Sequence, residues 1–175
     1  AREGRRAVER MEHMFYPDYP AIVFTCPIFR NNAIKGYVSL IYSTEGLCEI
    51  AEDIKFGNKG YGYIIDSDGV TLAHVDRSLV KNKVKSIEDA NNDSSLKKLA
   101  ELEMKMLRGE TGSGSYLYNG QKKIMGFSWI ENASWGFAVT SPEEDAFGYV
   151  STVVTIVTLV VGTFCLCLII INIYF

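Results

Sequence analysis

No charged side chain follows Asp145, so all 18 basic and 21 acidic residues fall in the first 145 of 175 positions. Charge takes about 27% of that part, an ordinary globular share. This share excludes a disordered chain, and a part of this length can bury a core. Basic charge is also short: the net charge is −3 and the pI near 5.5. A nucleic-acid binder should show a basic face, so that class is excluded. Four cysteines are too few for a disulfide-dense scaffold. Cys26 and Cys48 are the only pair that could bridge outside the tail, and neither has metal spacing; free thiols are expected, with a disulfide left open. Only His13 and His74 occur, which leaves little for a zinc site or a histidine triad.

Enzyme motifs are missing as well. There is no GxxxxGK[ST] phosphate loop and no GxSxG elbow. GNKGYG at 57–62 has glycines but opens a strand, so it offers no helix terminus to a phosphate. Asp66-Ser67-Asp68-Gly69 begins like a calcium loop, but Val70, Thr71 and Arg77 stand where a third ligand, a glycine and a bidentate glutamate belong. It reads as a turn. The expectation is a non-enzymatic protein with no catalytic residue, cofactor or metal.

What is present begins with the tail. From Thr152 the chain reads TVVTIVTLVVGTFCLCLIIINIYF, roughly 36 Å of helix and enough to cross a membrane with some tilt. A transmembrane helix is expected over 150–175. Gly148, Ser151, Thr155, Thr158 and Gly162 recur at alternating spacings of three and four, which sets small and hydroxyl side chains on one face. Such a stripe suits close packing against another transmembrane helix. The first residue is Ala1 and the last Phe175, and both ends read as cut from a longer protein.

In the charged part, AIVFTCPIF and AIKGYVSLIY read as a hairpin broken at Asn31-Asn32. RRAVERMEHMF before them reads as helix or strand. Thr44 is a candidate cap for a helix carrying Leu47, Ile50, Ala51 and Ile54 on one face, with Gly57 at its C′ position. A new block starts at Gly60. GYGYIID and GVTLAHV flank a turn at Ser67–Gly69, and 76–95 reads as loop. Leu96, Leu99, Ala100, Met104, Met106 and Leu107 mark a helix ending at Gly109. SGSYLYN, QKKIMGFSWI and SWGFAVTSP follow as strands, with a turn at Asn119-Gly120. The pattern predicts an α+β module on an antiparallel sheet.

One candidate site emerges. Lys123, Met125, Phe127 and Trp129 alternate with smaller or aliphatic residues, while Tyr61 and Tyr63 share one side of their strand and Tyr116 and Tyr118 share another. The pattern predicts one aromatic sheet face edged by a lysine, with the long helix over the opposite face. Tyr61, Tyr63, Tyr116, Tyr118, Lys123, Phe127 and Trp129 are therefore candidate ligand contacts. His74 reads as a structural group.

GNKGYGYIIDSDGVTLAHVD, KMLRGETGSGSYLYNGQKKIMGFSWI and SWGFAVTSPEED running into a membrane helix resemble the membrane-proximal half of a double-Cache sensor. These are extracytoplasmic sensing regions of bacterial chemoreceptors, histidine kinases and diguanylate cyclases. The resemblance covers about residues 21–175. It implies a PAS-like antiparallel five-stranded sheet with flanking helices, followed by one transmembrane helix. Residues 1–46 would close an incomplete membrane-distal module, 47–59 would be a connecting helix, and 60–145 the proximal module. It further implies small-molecule sensing and transmembrane signalling in a methyl-accepting chemotaxis receptor, as a homodimer in the cell membrane with the soluble part outside the cytoplasm; the sensor region of a diguanylate cyclase or histidine kinase, or a membrane-anchored extracytoplasmic binding module, is the alternative. A cytoplasmic kinase and a coupling protein would be partners. Family members that bind amino acids carry an Asp near the end of the strand resembling GYVSLIYS; here Ile41 takes that place, and no acid occurs until Glu45, so an α-amino-acid ligand is not supported.

Overall fold

The computed structural model describes residues 6–11 and 19–174; within its last helix the side chains of 149–152, 167 and 170–174 fall outside the description. His13, Pro17 and much of the RRAVERMEHMF segment lie outside the described residues, as do the Ser151 and Cys167 side chains.

Two antiparallel sheets follow one another along the chain. The first joins β1 (Ala7–Met11), β2 (Ala21–Arg30) and β3 (Ala33–Ser43) in that order. Ala7–Met11 is thus a strand, paired from Ala7 against Thr25 to Met11 against Ala21. The β2–β3 turn is made by Asn31 and Asn32, both with positive φ (51° and 61°). Left-handed geometry at both central residues matches the twist of a two-residue hairpin, and asparagine tolerates it better than most residues. The outer half of this sheet leaves Phe29, Val38 and Leu40 more than half exposed.

α1 (Thr44–Asp53) leads out of that sheet. Its cap is Ser43, whose hydroxyl accepts the Glu45 amide at 3.1 Å, and not Thr44. Thr44 is instead buried and donates to the Pro20 carbonyl at 2.9 Å, tying the helix start to β2. The face turned inward carries Thr44, Cys48 and Ala51, while Ile50 is exposed. The helix stops well short of 59: Ile54 is already extended, and Gly57 (φ 68°) shapes a separate turn.

The second sheet has five strands: β4 (Tyr61–Asp66), β5 (Thr71–Ala73), β6 (Gly112–Tyr118), β7 (Gln121–Ile130) and β8 (Trp135–Pro142), in the order β5-β4-β8-β7-β6. Every neighbouring pair is antiparallel. Between β5 and β6 run α2 (Arg77–Lys81), α3 (Ser86–Asp89), a 3-10 turn at Ser94–Leu96 and α4 (Lys97–Leu107). The region expected as loop therefore holds short helical turns, started where Asp76 and Asp93 each accept the amide two residues on.

α4 lies on the aromatic face, not on the aliphatic one. Leu99, Leu102 and Met106 form one core with Tyr63, Ile65, Tyr116, Met125, Phe127 and Ala138. Gly136 decides the fit, because a Cβ there would meet Met106 at 2.8 Å and Ile65 at 3.0 Å. The other face packs Ile64 with Cys48, Ala51, Leu72 and Val80, and receives Val8 and Phe24 from the first sheet. An ion pair between Arg10 and Asp66 (3.2 Å) and an edge contact of Phe24 on Trp135 (6.2 Å) join the two sheets further.

β8 passes into α5 (Glu143–Tyr174) with no residue between them. Among the described residues α5 is the helix long and apolar enough to cross a membrane. It starts before residue 150, so its first turn still belongs to the folded module.

Candidate functional site: a cavity between the sheet and the fourth helix

Tyrosines on β4 and β6 point to the same side because strand residues two apart share a face. Together with α4 and the turns before it they enclose a cavity of about 150 Å³. Tyr61, Tyr63, Tyr116 and Tyr118 line it, along with Thr71, His74, Leu79, Val84, Ser86, Asp89, Leu96, Leu99 and Glu103. Lys123 borders it, donating to the Tyr61 hydroxyl at 3.0 Å and sitting over the Tyr61 and Tyr118 rings at 5.0 and 5.2 Å. Burial lowers the Lys123 pKa from its ordinary value. Phe127 is a core residue away from the cavity lining. Trp129 stands further along β7, opposite Gly136, and does not line the cavity either.

Glu103 is the group that the sequence reading missed. It is 2% exposed, and its Oε1 accepts the Tyr63 hydroxyl at 3.1 Å. Oε2 is buried and makes no well-formed hydrogen bond among the described residues, although the Ser86 hydroxyl lies close enough to act on the carboxyl. Burial pushes this carboxyl up to about 7, with the Tyr63 and Ser86 hydroxyls pulling the other way. A signal was available: Leu99, Glu103 and Met106 fall at i, i+4 and i+7, so a carboxylate sits on the apolar stripe of α4.

The remaining polar groups are committed. Thr140 donates to the Ile124 carbonyl at 2.9 Å, so the Tyr116 hydroxyl, 2.8 Å away, is the donor to Thr140. His74 accepts the Asp76 amide at Nδ1 (2.8 Å), which leaves its proton on Nε2. Burial brings His74 down to about 4, so the ring is neutral, and it sits edge-on to Tyr61 at 5.0 Å. Burial likewise pushes Tyr61 up to about 12. Near neutral pH the cavity therefore offers acceptors, rings and neutral donors.

Away from the cavity, Cys26 and Cys48 are unpaired, the first exposed and the second buried. Asp66 closes its turn by accepting the Asp68 and Val70 amides, both at 2.9 Å. In the small-residue stripe, Thr158 donates to its own helix at the Val154 carbonyl (2.8 Å), and Thr155 is exposed on α5.

The fold has known counterparts. The profile of the Cache domain family matches residues 2–150, both sheets included. The chain belongs to the Cache domain family. Among curated proteins, this Cache chain is 28% identical over 120 residues to the methyl-accepting chemotaxis protein McpG of Pseudomonas putida, covering 67% of the chain and 17% of McpG. Among solved structures, the extracellular domain of a protein described as a histidine kinase, mmHK1S-Z3, matches with a TM-score of 0.65 at 18% identity, over 86% of this chain and 54% of that one. The ligand-binding domain of the Pseudomonas aeruginosa amino acid chemoreceptor PctB, in complex with L-Gln, gives a TM-score of 0.56 at 18% identity, over 90% of this chain and 61% of that one. The Cache chain thus spans a small part of McpG and just over half of each sensor domain.

Proposed function

We propose that this chain is the extracytoplasmic small-molecule sensing and signal-transmitting part of a bacterial chemoreceptor. The observation that carries the reading is the continuity of β8 with α5: a central strand of the five-stranded sheet becomes, without a linker, a helix fit to cross a membrane. A sensing sheet and a membrane rod joined without slack form a transmitter. The similarity to McpG and to chemoreceptor ligand-binding domains supports the same reading.

In this account β1–β3 belong to a membrane-distal module, and the exposed Phe29, Val38 and Leu40 support a further covering layer there. The cavity under α4 takes the ligand in the proximal module, and the stripe on α5 packs against another transmembrane helix of a homodimer. The soluble part stands outside the cytoplasm, and signalling runs through a cytoplasmic kinase and its coupling protein. PctB and Mlp24 have been seen with amino acids; an α-amino acid is not assigned to this chain. A histidine kinase output is the second reading, favoured by the match to mmHK1S-Z3.

Joining the chain through Phe175 to the cytoplasmic half of a chemotaxis transducer tests the proposal. Small-molecule panels should change kinase output in the chimera. A chimera that inserts and folds, yet responds to nothing while full-length receptors on the same panel respond, would count against it.

A further inference from the structure

We infer that the cavity under α4 binds a compact organic carboxylate, an acid group on a short hydrocarbon body, with the Lys123 ammonium as its counter-charge and the His74 Nε2–H as a second donor. The inference rests on the sensor reading above and names the ligand chemistry of the same cavity.

Lys123 is only 8% exposed. An ammonium has three N–H donors, and once buried it needs an opposite charge. Here one N–H goes to the Tyr61 hydroxyl, and no carboxylate offsets the charge among the described residues. The ammonium rests on the Tyr61 and Tyr118 rings, which both line the cavity, so it stands at the cavity's edge. Rings ease the burial of a cation but leave its charge unpaired. A ligand carboxylate supplies the missing charge and takes the remaining N–H groups.

The walls suit the same class. His74 holds the Asp76 amide on Nδ1, so its proton is on Nε2, which makes no hydrogen bond among the described residues. Tyr61, an acceptor toward Lys123, keeps its own O–H to give. Neither acid of the wall forbids an anion. Glu103 keeps its proton up to about 7 and is already acted on by the Tyr63 and Ser86 hydroxyls. Asp89, at the end of α3, is exposed, and water and salt screen it. Leu79, Leu96 and Leu99 give the cavity an apolar portion for a hydrocarbon body. A volume near 150 Å³ is about what admits a benzene-sized molecule when the walls are apolar.

Calorimetry on the full chain in lipid nanodiscs, at about pH 6 where Glu103 keeps its proton, tests this with three small probes: butyrate, its neutral isostere butyramide, and butylammonium. Butyrate should bind saturably and at least roughly tenfold tighter than the other two. Lys123→Met, which keeps an unbranched chain in place without the charge, should lose about tenfold or more of that affinity. If Lys123→Met does not fold, the ranking of butyrate over butyramide on the unaltered chain decides the matter. Equal or tighter binding of butyramide or butylammonium, or full affinity in folded Lys123→Met, would overturn the carboxylate assignment while leaving a small-molecule cavity in place. Failure of all three probes would overturn the cavity as a site for carboxylates, and the chimera panel would then judge the sensor reading by itself.

Discussion

Asp145, in the first turn of α5, holds Asn58 from 87 residues earlier in the chain. Its Oδ2 accepts the Asn58 amide at 2.7 Å and the Lys59 amide at 2.9 Å, and its Oδ1 accepts the Asn58 side chain at 3.1 Å. Those bonds, the Lys59 amide foremost, hold the carboxyl below the usual range. The turn at 57–59 joins α1 to β4, and a Cβ at Gly57 would run into the Asp145 carboxylate. The apolar helix α5 is therefore fastened both to β8, which it continues, and to the connector from the first sheet.

Asp145→Ala should release that second fastening. Hydrogen exchange at the Asn58 and Lys59 amides should quicken, while amides in the centre of β4 and β8 stay protected. In the chemoreceptor chimera the resting output should shift. Unchanged exchange at 58–59 would show that the clamp does not persist in solution.

Two buried groups set opposite pH limits. Folded Glu103 keeps its proton up to about 7 against an ordinary value of 4.5, so the folded state binds more protons in that window and stability falls as pH rises through it. His74 stays neutral down to about 4 against an ordinary 6.5, so there the unfolded state binds more protons and stability falls as pH drops. Either group alone is worth at most about 3 kcal/mol, but the two windows overlap between about 4.5 and 6.5 with opposite slopes, so the wild-type profile should be nearly flat there and fall only outside it. Denaturation across this range should show stability rising with pH in Glu103→Gln, where only His74 titrates, and falling with pH in His74→Gln, where only Glu103 does. Parallel curves for wild type and Glu103→Gln would contradict the burial of an ionisable carboxyl.

Gly136→Ala should destabilise the five-stranded module by about 1–3 kcal/mol, because Met106 and Ile65 fill the space of the new methyl group. Gly126 has nothing within 4 Å of a Cβ, so Gly126→Ala serves as the control and should change little. Thermal melts of the pair decide it; equal melting would mean that α4 does not sit tightly on β8.

Replacing Thr155 and Thr158 together with leucine should keep the span in the membrane but disturb helix packing. Cross-linking between α5 helices and chimera output should both change. If neither moves, the stripe is not an interface.

How far the sequence reached follows from where each signal resides. Asn31-Asn32 and Asn119-Gly120 were legible as turns because a positive φ is a local demand, and all four residues have one. Gly109 (φ 83°) ended α4 for the same reason. Alternation placed Tyr61, Tyr63, Tyr116 and Tyr118 on one face, yet it could not say which face the helix would take. Gly114 and Gly136 held that information: Leu102 and Met106 occupy the space where their side chains would be. Phe127 and Trp129 have the right alternation, but they lie further along β7 than the cavity reaches. Ser43 rather than Thr44 caps α1 because Thr44 is drawn to Pro20, a contact between residues 24 apart in sequence. Composition treated Glu103 as one more surface charge, and only its place on the apolar stripe set it apart.

The account turns on a junction without slack. Inserting Gly-Gly-Ser between Pro142 and Glu143 in the chimera, with a ligand from the responding panel, measures that claim most directly. The account predicts that ligand still binds while the change in kinase output is lost. A response of undiminished size across the flexible insert would contradict it.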